Sequence, residues 1–193
     1  MDAAPSADLL QRAKSGSPEA VDALYERYAG RLLAYIRLRM GRDLRARLES
    51  RDILQAALLK SLQHLDELKG TTTPSLMAWL ARIAENEIRD RADFHGRQKR
   101  GAGAEERLQS GQDVRAERLR SALSEVIFDE RSRRLDAALA RLPEDQREVV
   151  LLRKYQEMSF SEIASRMGRS EDACRMLLAR AMTALTLAVG EDA

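Results

Sequence analysis

Apolar residues recur along this chain at intervals of three and four rather than in alternation, the mark of amphipathic helices. The first half predicts four of them. Residues 7–14 form one, ending at the turn Ser15-Gly16-Ser17-Pro18. Residues 19–40 form a second, with Leu24, Tyr28, Leu32, Tyr35 and Arg39 on one face. Residues 50–68 form a third, whose stripe is Ile53, Leu54, Ala57, Leu58, Leu62 and Leu65. Residues 69–74, Lys-Gly-Thr-Thr-Thr-Pro, read as a loop before a fourth helix at 75–98, whose apolar side is Leu76, Leu80, Ile83, Ala84 and Ile88. Such stripes bury against one another as a small bundle.

The second half carries sharper punctuation. A helix over 135–142 stops before Pro143, which suits the first turn of the next helix, with Glu144 and Asp145 matching its dipole. That helix runs through Val149–Leu152 to Tyr155. Ser159 with Glu162 has capping-box spacing and opens a helix over 160–167, which Gly168 ends. Ser170 caps a final helix over 171–189. Two helices joined by a short glycine turn are the plan of a helix-turn-helix. Ile163, Ala164 and Met167 face inward with Cys174, Leu178 and Ala181, while Glu171, Asp172, Arg175, Met176, Ala179 and Arg180 face outward. A recognition helix sets such outward N-terminal residues against base edges. A plain helical hairpin has the same spacing.

Residues 101–134 are rich in charge, with Gly101, Gly103 and Gly111, and read as a linker. Leu119, Leu123, Val126 and Ile127 give it one short amphipathic helix. The organisation is therefore a helical domain over 7–100, a partly helical linker over 101–134 and a second helical domain over 135–189.

Composition strengthens the all-α reading. The 193 residues include 28 Leu and 29 Ala against 17 Val, Ile and Thr together, and aromatics are 4%. That balance excludes sandwiches, barrels and parallel sheets. No apolar run approaches a membrane span, and the N-terminus has no secretory pattern, so the expected compartment is the cytoplasm. One cysteine and two histidines provide no zinc pattern, and no phosphate-binding glycine loop occurs. The net charge of +2 divides unevenly: residues 1–134 hold 25 basic and 21 acidic groups, residues 135–193 hold 8 and 10. Nucleic-acid binding must then come from local patches.

At this point the residues resemble a family. The segment from Leu139 to Leu185, with its Leu-Pro opening, Val149–Leu152 run, Ser161-Glu162-Ile163-Ala164, Gly168, Ser170 and Arg180-Ala181, is similar to region 4 of sigma-70-type transcription initiation factors. Asp52-Ile53-Leu54-Gln55, and Trp79-Leu80-Ala81-Arg82-Ile83-Ala84-Glu85-Asn86 followed by Asp90, resemble elements of sigma region 2. Both sets occur in order, and the linker is too short and charged for a domain between them. The likeness is to the small extracytoplasmic-function (ECF) group, which keeps regions 2 and 4.

The resemblance implies partners and sites. Core RNA polymerase would be met by Asp52, Ile53, Gln55 and Leu59, although Ala56-Ala57 stands where the family usually continues with Glu. The −10 element would be opened and read by Lys69, Thr71, Thr72, Arg82, Asn86, Arg89, Arg97 and Arg100. Cations hold the phosphates there, and hydroxyls and an amide meet an unstacked base. The −35 element would be met by Arg169, Ser170, Glu171, Arg175, Met176, Ala179 and Arg180. Family members often carry more Lys or Arg on that helix; here Met176, Leu177, Met182 and Thr183 take such places, while Glu171 and Asp172 repel phosphates. Trp79 and the tyrosines Tyr25, Tyr28 and Tyr35 are expected to pack rather than stack on bases, and Ser50 is a possible cap for the helix bearing Asp52. The implied function is a sigma factor that directs promoter recognition, melting and initiation, with no catalysis, no cofactor and no metal. Its partners are core RNA polymerase, promoter DNA and, as an open further partner, an anti-sigma factor. The rivals are a stand-alone helix-turn-helix regulator, which explains residues 159–185 but not the region 2 elements, and an adaptor that kept the fold but lost promoter binding.

Overall fold

In the computed structural model, residues 4–40, 42–45, 48–70, 72–98 and 130–190 are described. Among them every regular element is helical. The first lobe contains α1 (Ala4–Lys14), α2 (Pro18–Arg39), the short α3 (Arg42–Arg45), α4 (Ser50–Gln63) and α5 (Thr73–Gln98). The second contains α6 (Glu130–Arg141), α7 (Glu144–Lys154), α8 (Phe160–Met167) and α9 (Glu171–Gly190).

α1 and α2 pair through the turn at Gly16, whose φ of 91° suits a residue without Cβ. Ser17 then caps α2, its hydroxyl accepting the Ala20 amide at 3.3 Å. Leu24, Tyr28, Leu32 and Tyr35 are buried as their spacing predicts, whereas Arg39 is exposed and pairs with Glu85. Arg45 folds back on the end of α2, its guanidinium donating to the carbonyls of Arg37 and Met40. Those are the carbonyls a helix C-terminus leaves without partners.

Four expectations are corrected. Ser50 does not cap α4: Glu49 holds that position without a side-chain bond, and the Ser50 hydroxyl accepts from Arg37 Nε at 3.4 Å. The helix expected over 50–68 breaks at His64, and Leu65–Glu67 form a 3₁₀ turn. The tighter turn keeps both Leu65 and Leu68 buried, while Lys14 Nζ donates to the Leu68 carbonyl. In the second lobe α6 starts at Glu130, inside the segment read as linker, and Pro143 takes the N-cap of α7 rather than its first turn. The amphipathic stretch at 119–127 lies outside the described residues.

The helix-turn-helix forms as its spacing predicts. Ser159 and Glu162 make a reciprocal capping box, and Gly168 closes α8 at φ 63°. Its core is Val149, Leu152, Ile163, Ala164, Cys174 and Leu177. The two lobes are not separate bodies. Leu139, Leu142, Val150, Leu151 and Ala181 belong to the same buried cluster as the first lobe, and α2 packs against both α6 and α7.

Candidate nucleic-acid and polymerase interface

The α4 surface begins with Asp52, exposed in the first turn of that helix, where a carboxylate suits the dipole. Its backbone carbonyl accepts from Arg91 at 3.2 Å, which ties the start of α4 to α5. Further along, Lys60 donates to Glu87 at 2.9 Å, and that bond raises the Lys60 pKa. Gln55 and Leu59 are half-buried, Leu59 packing against the main core. Ile53 is fully buried and presents no surface, so of the expected docking residues it supports the helix rather than the interface. The reason is its stripe: it shares the inward face with Leu54, Ala57 and Leu58.

On α5, Arg82, Asn86 and Arg89 are exposed at one-turn intervals and make a single row. Lys69 is exposed in the loop that leads to it. Thr72 is exposed too, but its hydroxyl has a structural task, accepting the Ser75 amide at 3.3 Å and bonding Ser75 Oγ at 2.8 Å at the start of α5. Thr71, Arg100 and the side chain of Arg97 lie outside the described residues. Trp79 is half-buried against the main core, as expected. Behind the row, Glu85 receives the Tyr35 hydroxyl at 2.5 Å and Arg39 Nε at 3.2 Å, which fixes α5 against α2.

The outward face of α9 carries Arg175, Met176, Ala179 and Arg180, all exposed. Ser170 caps the helix, its hydroxyl accepting the Ala173 amide at 3.2 Å. Arg169 is held by Asp145 at 3.2 Å. Arg175 is the most engaged: its guanidinium pairs with Glu171 at 2.8 Å and Asp172 at 2.9 Å and stands 5.0 Å from the centre of the Phe160 ring. Arg153 stands 5.0 Å from the same ring. Arg175, one of the expected contacts to DNA, is thus neutralised by its own helix. Met176 is 54% exposed and Leu187 62%, so the face is apolar as well as weakly basic. Leu177, expected where polar residues are frequent, points inward and is buried.

One participant, Tyr155, has no motif in the sequence. Tyr155, at the end of α7, lies 5.2 Å from Tyr35 ring to ring, and its hydroxyl donates to the Arg31 carbonyl at 3.2 Å. Burial pushes its phenol up to about 12. Beside it a cleft of about 400 Å³ separates Pro74, Ser75, Ala78 and Arg82 of α5 from Gln156 and Glu157 of the second lobe. Only the assembled lobes create this cleft, which is why residue spacing did not point to it.

Comparison with known proteins matches two family profiles in this order: sigma-70 region 2 over residues 24–98 and sigma-70 region 4 over residues 132–185. The chain is 29% identical over 198 residues to the ECF RNA polymerase sigma factor BldN of Streptomyces coelicolor, covering all of this chain and 69% of that protein. It is 26% identical over 183 residues to the RNA polymerase sigma-H factor of Pseudomonas aeruginosa, covering 94% and 92%. Among solved structures it is similar to CnrH in complex with the cytosolic domain of CnrY, at 22% identity, TM-score 0.40 and coverage of 97% and 99%.

Proposed function

The chain belongs to the sigma-70 family, in its ECF group, and from that premise we propose that it binds core RNA polymerase and directs it to promoters. The observation that carries this reading is the presence of region 2 and region 4 in order on one chain. A stand-alone helix-turn-helix regulator has no use for the first.

In this reading α4 docks on polymerase through Asp52, Gln55 and Leu59. The row Arg82, Asn86 and Arg89, with Lys69, takes the −10 strand: the guanidinium groups hold phosphates and the amide meets an unstacked base. The α9 face meets the −35 duplex. Its few cations supply little affinity alone, and tethering to polymerase compensates by effective concentration. The protein performs no bond chemistry, and an anti-sigma factor is a partner this reading accommodates.

The test is core binding. Asp52→Arg with Gln55→Arg places two charges on the α4 surface without touching the buried stripe. The full chain should co-elute with purified core polymerase, and the variant should bind at least about tenfold more weakly, with folding stability changed by no more than ~1 kcal/mol from the lost dipole contact. Unchanged binding by the variant would move the docking surface elsewhere, and no binding by the native chain would end the sigma reading.

A further inference from the structure

Phe160 is the first residue of α8, yet its ring serves α9. It is half-buried against the smaller apolar cluster of the second lobe. The Ser159–Glu162 capping box fixes the backbone on which it stands. Arg153 of α7 braces it, with a guanidinium 5.0 Å from the ring centre that also donates to the Met158 carbonyl at 2.8 Å. The guanidinium of Arg175 stands 5.0 Å from the same centre. A guanidinium over an aromatic face gains cation–π attraction and loses freedom to swing.

Arg175 is held from its own helix as well. One terminal nitrogen donates to Glu171 at 2.8 Å and the other to Asp172 at 2.9 Å. A guanidinium has more N–H groups than these two bonds use, so a fork of donors remains. Charge and direction are thereby separated. Two carboxylates against one guanidinium leave this corner of α9 acidic, which repels phosphates. The remaining donors keep a fixed direction, as the paired acceptors O6 and N7 of guanine require. A phosphate contact carries no sequence information and gains most from net charge.

We propose that Phe160 is a positioning residue for duplex reading: with Glu171 and Asp172 it fixes Arg175 as a reader of guanine and keeps it from acting as a phosphate clamp. The carboxylates lower affinity for every sequence. The ring and the carboxylates together preserve the direction that tells one sequence from another, and the cost of ordering the side chain is met before DNA arrives. This inference rests on the −35 assignment of α9 above.

The test selects duplexes from a randomised library with the full chain, alone and bound to core polymerase. Anisotropy then gives the ratio of affinities for the enriched and a scrambled duplex. The native chain should enrich a G·C pair that Arg175→Lys, which keeps the charge and loses the fork, no longer prefers. Phe160→Leu should lower the affinity ratio about tenfold at that same base pair, and Phe160→Tyr should keep it. Glu171→Gln with Asp172→Asn should strengthen scrambled binding several-fold and lower the ratio, and it decides the matter if Phe160→Leu misfolds. A purely structural role for Phe160 would weaken both duplexes in proportion; that result overturns the proposal, as does a native chain that enriches no G·C pair dependent on Arg175. Core binding is read separately: its absence in the native chain would sink the sigma reading, while selection by the chain alone would still decide the role of Phe160.

Discussion

Arg175 is held at 2.8 and 2.9 Å by Glu171 and Asp172, so a guanidinium that spacing marks as a DNA contact meets carboxylates first. Exposed pairs of this kind contribute roughly 0–1 kcal/mol to folding, so stability is not their main consequence. Their consequence is the charge the helix shows to a duplex. Glu171→Gln with Asp172→Asn should leave the fold intact, raise affinity for duplex DNA several-fold and steepen its salt dependence, measured by anisotropy at a series of salt concentrations. The tyrosines provide a second test. Burial raises the phenol of Tyr25 to about 12, against a smaller lowering by its bond to Ser61, and raises Tyr155 to about 12. A raised phenol favours folding while it stays protonated. Its contribution is complete below pH ~10 and is lost as pH climbs through about 12. Absorbance near 295 nm should therefore show tyrosines ionising late, and Tyr155→Phe should remove one late step. These residue-scale couplings were partly legible: the i,i+3 and i,i+4 spacing of Asp172 and Glu171 to Arg175 was in the sequence, but the Phe160 platform needed the turn between α8 and α9.

Helices with strong local signals appear where the sequence predicts them. Ser159 and Glu162 close a capping box on α8, and two bonds from Ser159 hold the Glu162 carboxyl below its usual range. Acid should weaken this cap, its contribution being present above the ordinary carboxylate range and lost as pH falls below that range through the lowered Glu162 value. Ser159→Ala should lower stability by about 1 kcal/mol in denaturant unfolding. Elements set by distant packing were less legible. The break at His64 has no proline or glycine to announce it; burying Leu65 and Leu68 together decides it. Ser50 looked like a cap because its residue type suits one, yet Arg37, buried on α2, takes its hydroxyl. Ile53 looked like an interface residue through its motif, yet the stripe it belongs to turns it into the core.

At the scale of the whole molecule, the near-neutral charge conceals a division of labour. The row on α5 is basic and exposed, while α9 is apolar and self-neutralised. A region 4 so weakly charged fits a protein that gains duplex affinity from a larger assembly. The sequence separates two domains by a linker, and their order was readable from motifs. Their packing through Tyr35, Tyr155 and a common apolar cluster was not, because no local pattern encodes which faces meet across the linker. The central claim is that this chain gives core polymerase its promoter choice. The most direct measurement is run-off transcription on genomic fragments with purified core polymerase, with transcript ends mapped. The account predicts transcripts that need both chain and core and that start downstream of a shared pair of −10 and −35 elements. Duplex binding by the chain without core, together with no new transcript when core is present, would contradict it.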